Sequence, residues 1–334
     1  MSFKTDEEVE RKILTILKIL GNHKEPMGSR MLARYLKEHG FELSERAIRY
    51  HLKLTDERGL TKLVRNRDGR VITEKGLQET GKALVKDKVG YAISRIESLA
   101  FFTEFNLKKK QGLVPVNISI FKKDQFPEAC RKMYPAFEKG FCVSNLVYLA
   151  REEERLGNLV VPKGHVALAT VCSIVVNGTL LKAGIPMDSR FGGMLQIKNG
   201  QPVRFTELIH YDGCSLDPSE IFIKAGMTSV QEAVLYGNGE ILANYREIPA
   251  ACRPVAEEVI ERLKEARLNG ILVFGKVSED VCEINVSQNK IGIILIGGLN
   301  PIAMAKEMGI PSENYSMNTV IDYSRLININ NIIS

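Results

Sequence analysis

Arg190 is the side chain of this 334-residue sequence whose neighbours best equip it to hold an anion. It stands in the run Asp188-Ser189-Arg190-Phe191-Gly192-Gly193. A guanidinium offers a planar fork that grips a carboxylate through two parallel hydrogen bonds. The Gly192-Gly193 pair would leave bare backbone beside it for a ligand to approach. Directly upstream, residues 164–186 read GHVALATVCSIVVNGTLLKAGIP, an apolar run that ends at Cys172-Ser173 and leads into a short helical pattern carrying Asn177-Gly178. Residues 289–311, NKIGIILIGGLNPIAMAKEMGIP, repeat that pattern at a constant offset of 125. Gly297-Gly298 stand where the first copy has Cys172-Ser173. Asn300-Pro301 open the second helix, at a position where proline loses no hydrogen bond. A strand that runs through small residues onto a helix N-terminus exposes N–H groups and the positive end of a dipole, both suited to negative charge. Two such ends in one domain fit a ligand with two anionic groups. They fit an ordinary packed core as well. His165, at the start of the first strand, joins the candidate set, although a hydrogen-bonded structural role is the commoner one for such a residue. Arg204 and Arg246 are weaker candidates.

A second set is basic. In residues 44–54, SERAIRYHLKL, the apolar positions Ala47, Ile48, His51 or Leu52, and Leu54 define one helical face. Arg46, Arg49, Tyr50 and Lys53 lie on the other, and Ser44 is placed to cap the helix. Arginines near the start of such a helix can bind guanine O6 and N7 in the major groove, so Arg46 and Arg49 are assigned to bases. Ser44, Tyr50, Lys53 and the downstream Arg65, Arg67 and Arg70 are assigned to phosphates.

Other chemistries lack their signatures. The sequence has no G-x-S-x-G, no P-loop and no metal-spaced histidine cluster, so neither a metal site nor a resident cofactor is expected. Cys172-Ser173 could suggest a nucleophile, but no histidine stands near to activate it. The six cysteines sit apart with no Cys-x-x-Cys pair, as in reduced thiols of a cytoplasmic protein. The N-terminus lacks a signal-peptide pattern, and no run is long and apolar enough for a membrane span. Charge is divided unevenly. Residues 1–90 hold 20 Lys/Arg against 14 Asp/Glu, a net of +6, and the remainder holds 26 against 26. A basic module joined to a neutral body is the pattern of a nucleic-acid reader carrying a sensor.

The elements that must position these residues follow from periodicity. Val9, Ile13, Ile16, Leu17 and Leu20 share a helical face. Met31, Leu32, Tyr35 and Leu36 form the inward face of a second helix, and the 44–54 helix is the third. Two β-prone runs then flank Asn66-Arg67-Asp68-Gly69, a hairpin signal. Helix, helix–turn–helix and hairpin make a winged helix over residues 1–85. A linker helix, long or broken, is expected over 86–112, with Leu84, Val89, Ile93, Ile96, Leu99 and Phe102 on one stripe. The body, 113–334, reads as α+β: two β-α-β-β-α-β halves over 113–198 and 237–325, related by a pseudo-twofold axis, with an insert at 199–236. Phe126-Pro127-Glu128-Ala129-Cys130-Arg131 matches Ile248-Pro249-Ala250-Ala251-Cys252-Arg253 at an offset of 122, which would put three extra residues in the second copy's first helix.

The stretches GHVALATVCSIVVNGTLLKAGIP and SRFGGMLQI, together with the winged helix, give the chain its likeness to a known family. It resembles NrpR, the archaeal repressors of nitrogen-assimilation genes. The resemblance implies a homodimer on double-stranded operator DNA, released by 2-oxoglutarate, the carbon-skeleton signal of nitrogen shortage. It further implies contact with basal transcription factors or a companion NrpR-type effector protein. 2-Oxoglutarate carries two carboxylates and a keto oxygen, which suits two helix N-termini plus Arg190. Two other readings stay open: an enzyme acting on a small organic acid in the cleft between the halves, and a co-repressor scaffold whose winged helix contacts proteins.

Overall fold

Two apolar faces twenty residues apart begin the chain's packing. Helix α1 (Ser2–Gly21) buries Ile13, Ile16, Leu17 and Leu20, and α2 (Ser29–Glu38) buries Leu32 and Leu36. Each such side chain contributes roughly 1.5–3 kcal/mol on burial. Met31, expected inward, is instead 51% exposed, and the inward face of α2 is carried by Leu32, Ala33, Tyr35 and Leu36. In α3 (Glu45–Glu57) Ile48, His51, Leu52 and Thr55 face in. Strands β1 (Thr61–Arg65) and β2 (Gly69–Ile72) pair antiparallel, and Met27 bridges Arg70 from the turn before α2. Helix α4 (Glu74–Gly81) follows. This is a winged helix.

The computed structural model describes residues 2–21, 26–38, 41–65, 69–81, 90–157 and 159–333. By internal contacts the chain divides into Met1–Lys88 and Val89–Ser334. The expected linker stripe at Leu84 and Val89 lies outside the described residues. Its later part forms α5 (Tyr91–Phe102), which buries Ala92, Ile96, Leu99 and Ala100. Phe102, counted in the stripe, is 53% exposed, since the 3.6-residue period turns it away from Ile96 and Ala100.

The body consists of two copies of one strand-and-helix sequence. The first has β3 (Leu113–Lys122), α6 (Phe126–Glu138), β4 (Leu146–Ala150), β7 (His165–Val171), α7 (Ile174–Lys182) and β8 (Asp188–Lys198). A small hairpin, β5 (Arg155–Leu156) and β6 (Leu159–Val160), projects between β4 and β7. The second has β10 (Gly239–Pro249), α10 (Arg253–Glu265), β11 (Ile271–Val277), β12 (Lys290–Ile296), α11 (Asn300–Glu307) and β13 (Glu313–Asp322). The insert supplies β9 (Gln201–His210), α8 (Pro218–Ala225) and α9 (Val230–Tyr236), and β14 (Ile327–Asn328) closes one sheet edge.

Two five-stranded antiparallel sheets result, ordered β13-β3-β7-β4-β14 and β11-β12-β10-β8-β9. The last strand of each copy therefore completes the sheet of the other. Strand β8 pairs along β10, and β13 pairs along β3. The helices follow the same rule, with α6 packed on α11 and α7 on α10. One continuous apolar core runs through both copies. Pseudo-symmetry holds, but contiguous halves do not.

The internal alignment also shifts. His165 faces Lys122 just as Lys290 faces Pro249, so the first strands correspond at an offset of 127 (249 − 122). Helices α6 and α10 are both 13 residues long, each with a proline in its first turn, Pro127 and Pro254. The expected longer second helix and the match of 126–131 to 248–253 are both overturned. Pro249 ends a strand, and it is Pro254 that corresponds to Pro127. Asn117 and Asn244 thus become structural twins.

Candidate functional site

Strand β10 carries the polar group that the core most needs to explain. Its residues 241–248 are all buried, yet they include Asn244, Arg246 and Glu247. Side chains two apart share a face of a strand, so Asn244 and Arg246 point together and Tyr245 and Glu247 point the other way. Glu247 is fully engaged, accepting from Tyr245 Oη at 2.9 Å and from Ser287 N and Oγ at 3.1 and 2.8 Å. Arg246 is not. It is 1% exposed, and its Nε and Nη1 have no hydrogen-bond partner. Asp217 lies near enough to feel its charge, but a buried guanidinium with donors left unmatched is costly for a fold to hold, and its position needs an explanation.

A cavity forms around it where the two copies meet, with Asn117, Cys172, Ser173, Tyr211, Asp217, Asn244, Gly298 and Met317 among its walls. The Arg246 guanidinium lies 4.8 Å from the centre of the Tyr211 ring. Tyr211 Oη donates to Asn244 Oδ1, and Asn244 Nδ2 donates to Ser173 Oγ at 3.2 Å. The two strand–helix turns touch here: a Cβ on Gly298 would lie 2.5 Å from Val171 O and 2.7 Å from Asn117 Nδ2. Only a glycine permits that approach. Asp217 caps α8, accepting from Ser219 N at 2.6 Å, and burial pushes its carboxyl up to about 6 against those hydrogen bonds. The free space is ≈ 20 Å³, on the scale of one water molecule.

The expected effector residues separate in space. Cys172, Ser173 and Gly298 line this cavity. Arg190 and Asn177 line a different, more open groove of ≈ 620 Å³ along α5 and α7, together with His210, Asp212 and Lys290. There Arg190 Nη1 donates to Asp188 at 3.2 Å, and Asn177 Nδ2 donates to Ser189 Oγ at 3.1 Å. Gly192 and Gly193 are not a bare turn. They sit inside β8, opposite Asn244 and Ala243, with β9 on the other side, so the sheet ladders occupy their backbone. Gly178 lies within α7 against Thr103, and Gly297 donates to Leu242 O at 2.8 Å. Asn300 is fully buried and holds both backbone groups of Leu242, at 2.8 and 3.0 Å, which is a structural duty. His165 Nδ1 approaches Lys163 O at 2.9 Å, away from either pocket. Arg246, ranked below Arg190 from sequence, is the arginine of the cavity. The available signal was an arginine and an asparagine two apart in an otherwise apolar strand, since buried polar residues carry the information.

On α3 the expected surface is present. Arg46, Arg49, Tyr50 and Lys53 are exposed, and Ser44 Oγ accepts from Ala47 N at 3.2 Å as the N-cap. Arg49 Nε donates to Glu45 O at 3.3 Å, and Lys53 lies 3.8 Å from Glu57. Arg70 departs from its assignment. Its Nε donates to Asp56 Oδ2 at 2.7 Å, which ties the wing to α3 and turns the side chain from the solvent. Arg67 and the side chain of Arg65 lie outside the described residues.

Thiol chemistry finds no support. Burial pushes the Cys172 thiol up to about 12, far from the thiolate that a nucleophile requires. Among the described residues there is no cluster of three or more His, Cys, Asp or Glu that could hold a metal, and no helix long and apolar enough to cross a membrane.

Residues 89–328 match the family described as NrpR regulatory domains NRD1 and 2, and residues 14–80 match the ribonuclease R winged-helix domain. The global nitrogen regulator NrpRI of Methanosarcina mazei is 37% identical over 96% of this chain and 98% of its own. The global nitrogen regulator NrpR of Methanococcus maripaludis is 32% identical over 93% of this chain, and the one of Methanocaldococcus jannaschii is 32% identical over 94%, but each is matched over only 54% of its own length. A crystal structure of a nitrogen repressor-like protein from Methanococcus jannaschii superposes with a TM-score of 0.61 at 28% identity, covering 72% of this chain and 98% of that one.

Proposed function

Because the chain belongs to the NrpR family of nitrogen regulators, we propose that it represses nitrogen-assimilation genes by binding operator DNA as a homodimer, and that 2-oxoglutarate taken into the Arg246 cavity releases it. The observation that carries the effector site is the buried guanidinium with two unpartnered N–H groups. A carboxylate placed there would supply both missing acceptors and the opposite charge, a charge-assisted pair in a dry site. Asn117, Asn244, Ser173 and the first turn of α7 add donors around it, and 2-oxoglutarate has acceptors at both ends and at the keto oxygen.

The small free volume bears on regulation. A five-carbon diacid needs far more than one water's space, so its walls must part to admit it. A ligand that binds an expanded arrangement and not the closed one shifts the population toward the expanded one. A hundredfold loss of operator affinity requires about 2.7 kcal/mol of such coupling. In this reading the exposed α3 face reads the operator, and basal transcription factors or a companion NrpR-type protein act as further partners.

A mobility-shift assay on a nitrogen-assimilation promoter, with and without millimolar 2-oxoglutarate, tests both parts. Wild-type protein is expected to bind and to be released. Arg246→Ala is expected to bind and stay bound. Release of that variant at the wild-type ligand concentration would remove the cavity from the proposal. Binding that does not change between low and moderate salt would remove the DNA reading.

A further inference from the structure

We propose that helix α5 reads the occupancy of the Arg246 cavity, and that Arg95 is the positioning residue that couples them. This rests on the cavity being the effector site. Chain order makes α5 the natural reader, since only residues 82–90 separate it from α4 of the winged-helix unit. Its buried face is not packed on a neutral part of the core. Ala92, Ile96, Leu99 and Ala100 form one apolar cluster with Cys172, Ile174, Tyr211 and Met317, and those last four all line the cavity. Packed side chains of this kind transmit displacement because the interior has no slack.

Arg95 adds a directional link. Its Nε donates to Met317 O at 2.8 Å, and its Nη2 donates to Asn318 O. Those carbonyls belong to an irregularity of β13, between Tyr315 and Thr319, where the ladder with β3 is interrupted and Met317 adopts φ 46°. The same Met317 donates its N–H to Asn117 Oδ1 at 3.0 Å, and Asn117 is cavity wall. Cavity, Asn117, β13 bulge, Arg95 and α5 thus form a continuous chain of contacts. Room for movement lies in a cleft of ≈ 270 Å³ between the bulge and α5, lined by Tyr91 and Arg95, that shares Asp217, Ser316 and Met317 with the cavity. When the cavity expands for a ligand, the bulge yields into that cleft and Arg95 draws α5 with it. Ala92 N, bonded to Cys214 O at 3.1 Å, ties the start of the helix to the turn after Tyr211.

The test uses the full chain, 2-oxoglutarate and a promoter fragment. Calorimetry on wild type first establishes ligand binding; no heat there would remove the effector reading itself, and this inference with it. With binding established, Arg95→Ala is expected to keep its 2-oxoglutarate Kd and its ligand-free DNA Kd within about threefold of wild type. The ligand-induced loss of DNA affinity is expected to fall from on the order of a hundredfold to less than about fivefold. Arg95→Lys, which keeps one cationic donor, is expected to lie between. Full release of Arg95→Ala by ligand would overturn the proposal. Should that variant fold poorly, hydrogen exchange on wild type decides instead. Amides of Tyr91–Phe102 are expected to change protection on ligand addition, and identical exchange with and without ligand would overturn it equally.

Discussion

Arg246 of the second copy and Tyr211 of the insert face each other, guanidinium over ring at 4.8 Å, and the ring's hydroxyl is bonded to the asparagine two residues before that arginine. The ring covers one face of the cation, yet Nε and Nη1 still lack acceptors. A group held in this state lowers stability, and replacing a buried charge together with the opposite charge beside it is often neutral or stabilising, whereas removing one alone strands the other. Asp217 feels the charge of Arg246, so Arg246→Met combined with Asp217→Asn is expected to unfold at an equal or higher denaturant midpoint than wild type, while losing its response to 2-oxoglutarate. Chemical denaturation and ligand calorimetry on the same variant measure both, and a clear loss of stability would show that Arg246 already has a structural partner.

Asp217 supplies a pH dependence. Its carboxyl is raised from 3.8 to about 6 by burial, so between those values the folded state holds a proton that the unfolded state has released. Stability from this group then falls as pH rises from about 4 to 6 and is level above, a change of up to about 3 kcal/mol. Asparagine is a good N-cap, so Asp217→Asn is expected to lose that pH dependence without losing α8. Stability profiles of the two proteins, subtracted, isolate it. A difference independent of pH over that window would refute the assignment. With a dianion nearby, the variant is also expected to bind 2-oxoglutarate more tightly than wild type at pH 7.5.

The two arginine classes on the winged helix separate in their effects. Arg46→Ala and Arg49→Ala are each expected to weaken operator binding about tenfold or more, from the 1–3 kcal/mol of a base contact, without changing the melting temperature. Arg70→Ala removes the bond to Asp56 and is expected to lower the stability of the winged helix by up to about 1 kcal/mol. Thermal melts alongside binding isotherms distinguish them. Equal effects of all three on DNA would mean that Arg70 leaves Asp56 in the complex.

Much of this layout was legible in the residues. The winged helix could be read because its three apolar faces and the Asp68-Gly69 turn are local signals. The repeat was legible through 164–186 and 289–311, where Gly-Ile-Pro fixes the register. The alignment failed at Pro249 because two prolines, Pro249 and Pro254, stand five residues apart and an Ala-Cys-Arg match favoured the wrong one. Arg190 looked like the anion site because glycines follow it, but Gly192 and Gly193 serve close strand packing, with Pro218 and Tyr211 against one and Phe205 against the other. Nothing in a strand's alternation names its neighbour, so the pairing of β8 with β10 lay beyond the pattern.

Asn300 gives a control for site assignments of this kind. It was a candidate ligand residue, but its amide closes two backbone bonds to Leu242. Asn300→Ala leaves the buried Leu242 N–H without a partner, while Leu242 O keeps Gly297 N, and is expected to cost about 1–3 kcal/mol, while 2-oxoglutarate affinity of the folded fraction stays near wild type. Denaturation with a folded-fraction-corrected titration checks this, and a selective loss of affinity would return Asn300 to the site.

The exchange of β8 and β13 limits how a ligand can act. Two lobes joined by a hinge can swing apart like a clamshell. Here each lobe is laced to the other by a whole strand, β8 along β10 and β13 along β3, and opening the lobes would tear two ladders. The motion left to such a molecule is shear, a sliding of packed layers over short distances. On the proposed reading the molecule has no jaws to close, and its signal is carried by a helix already leaning on the layer that slides.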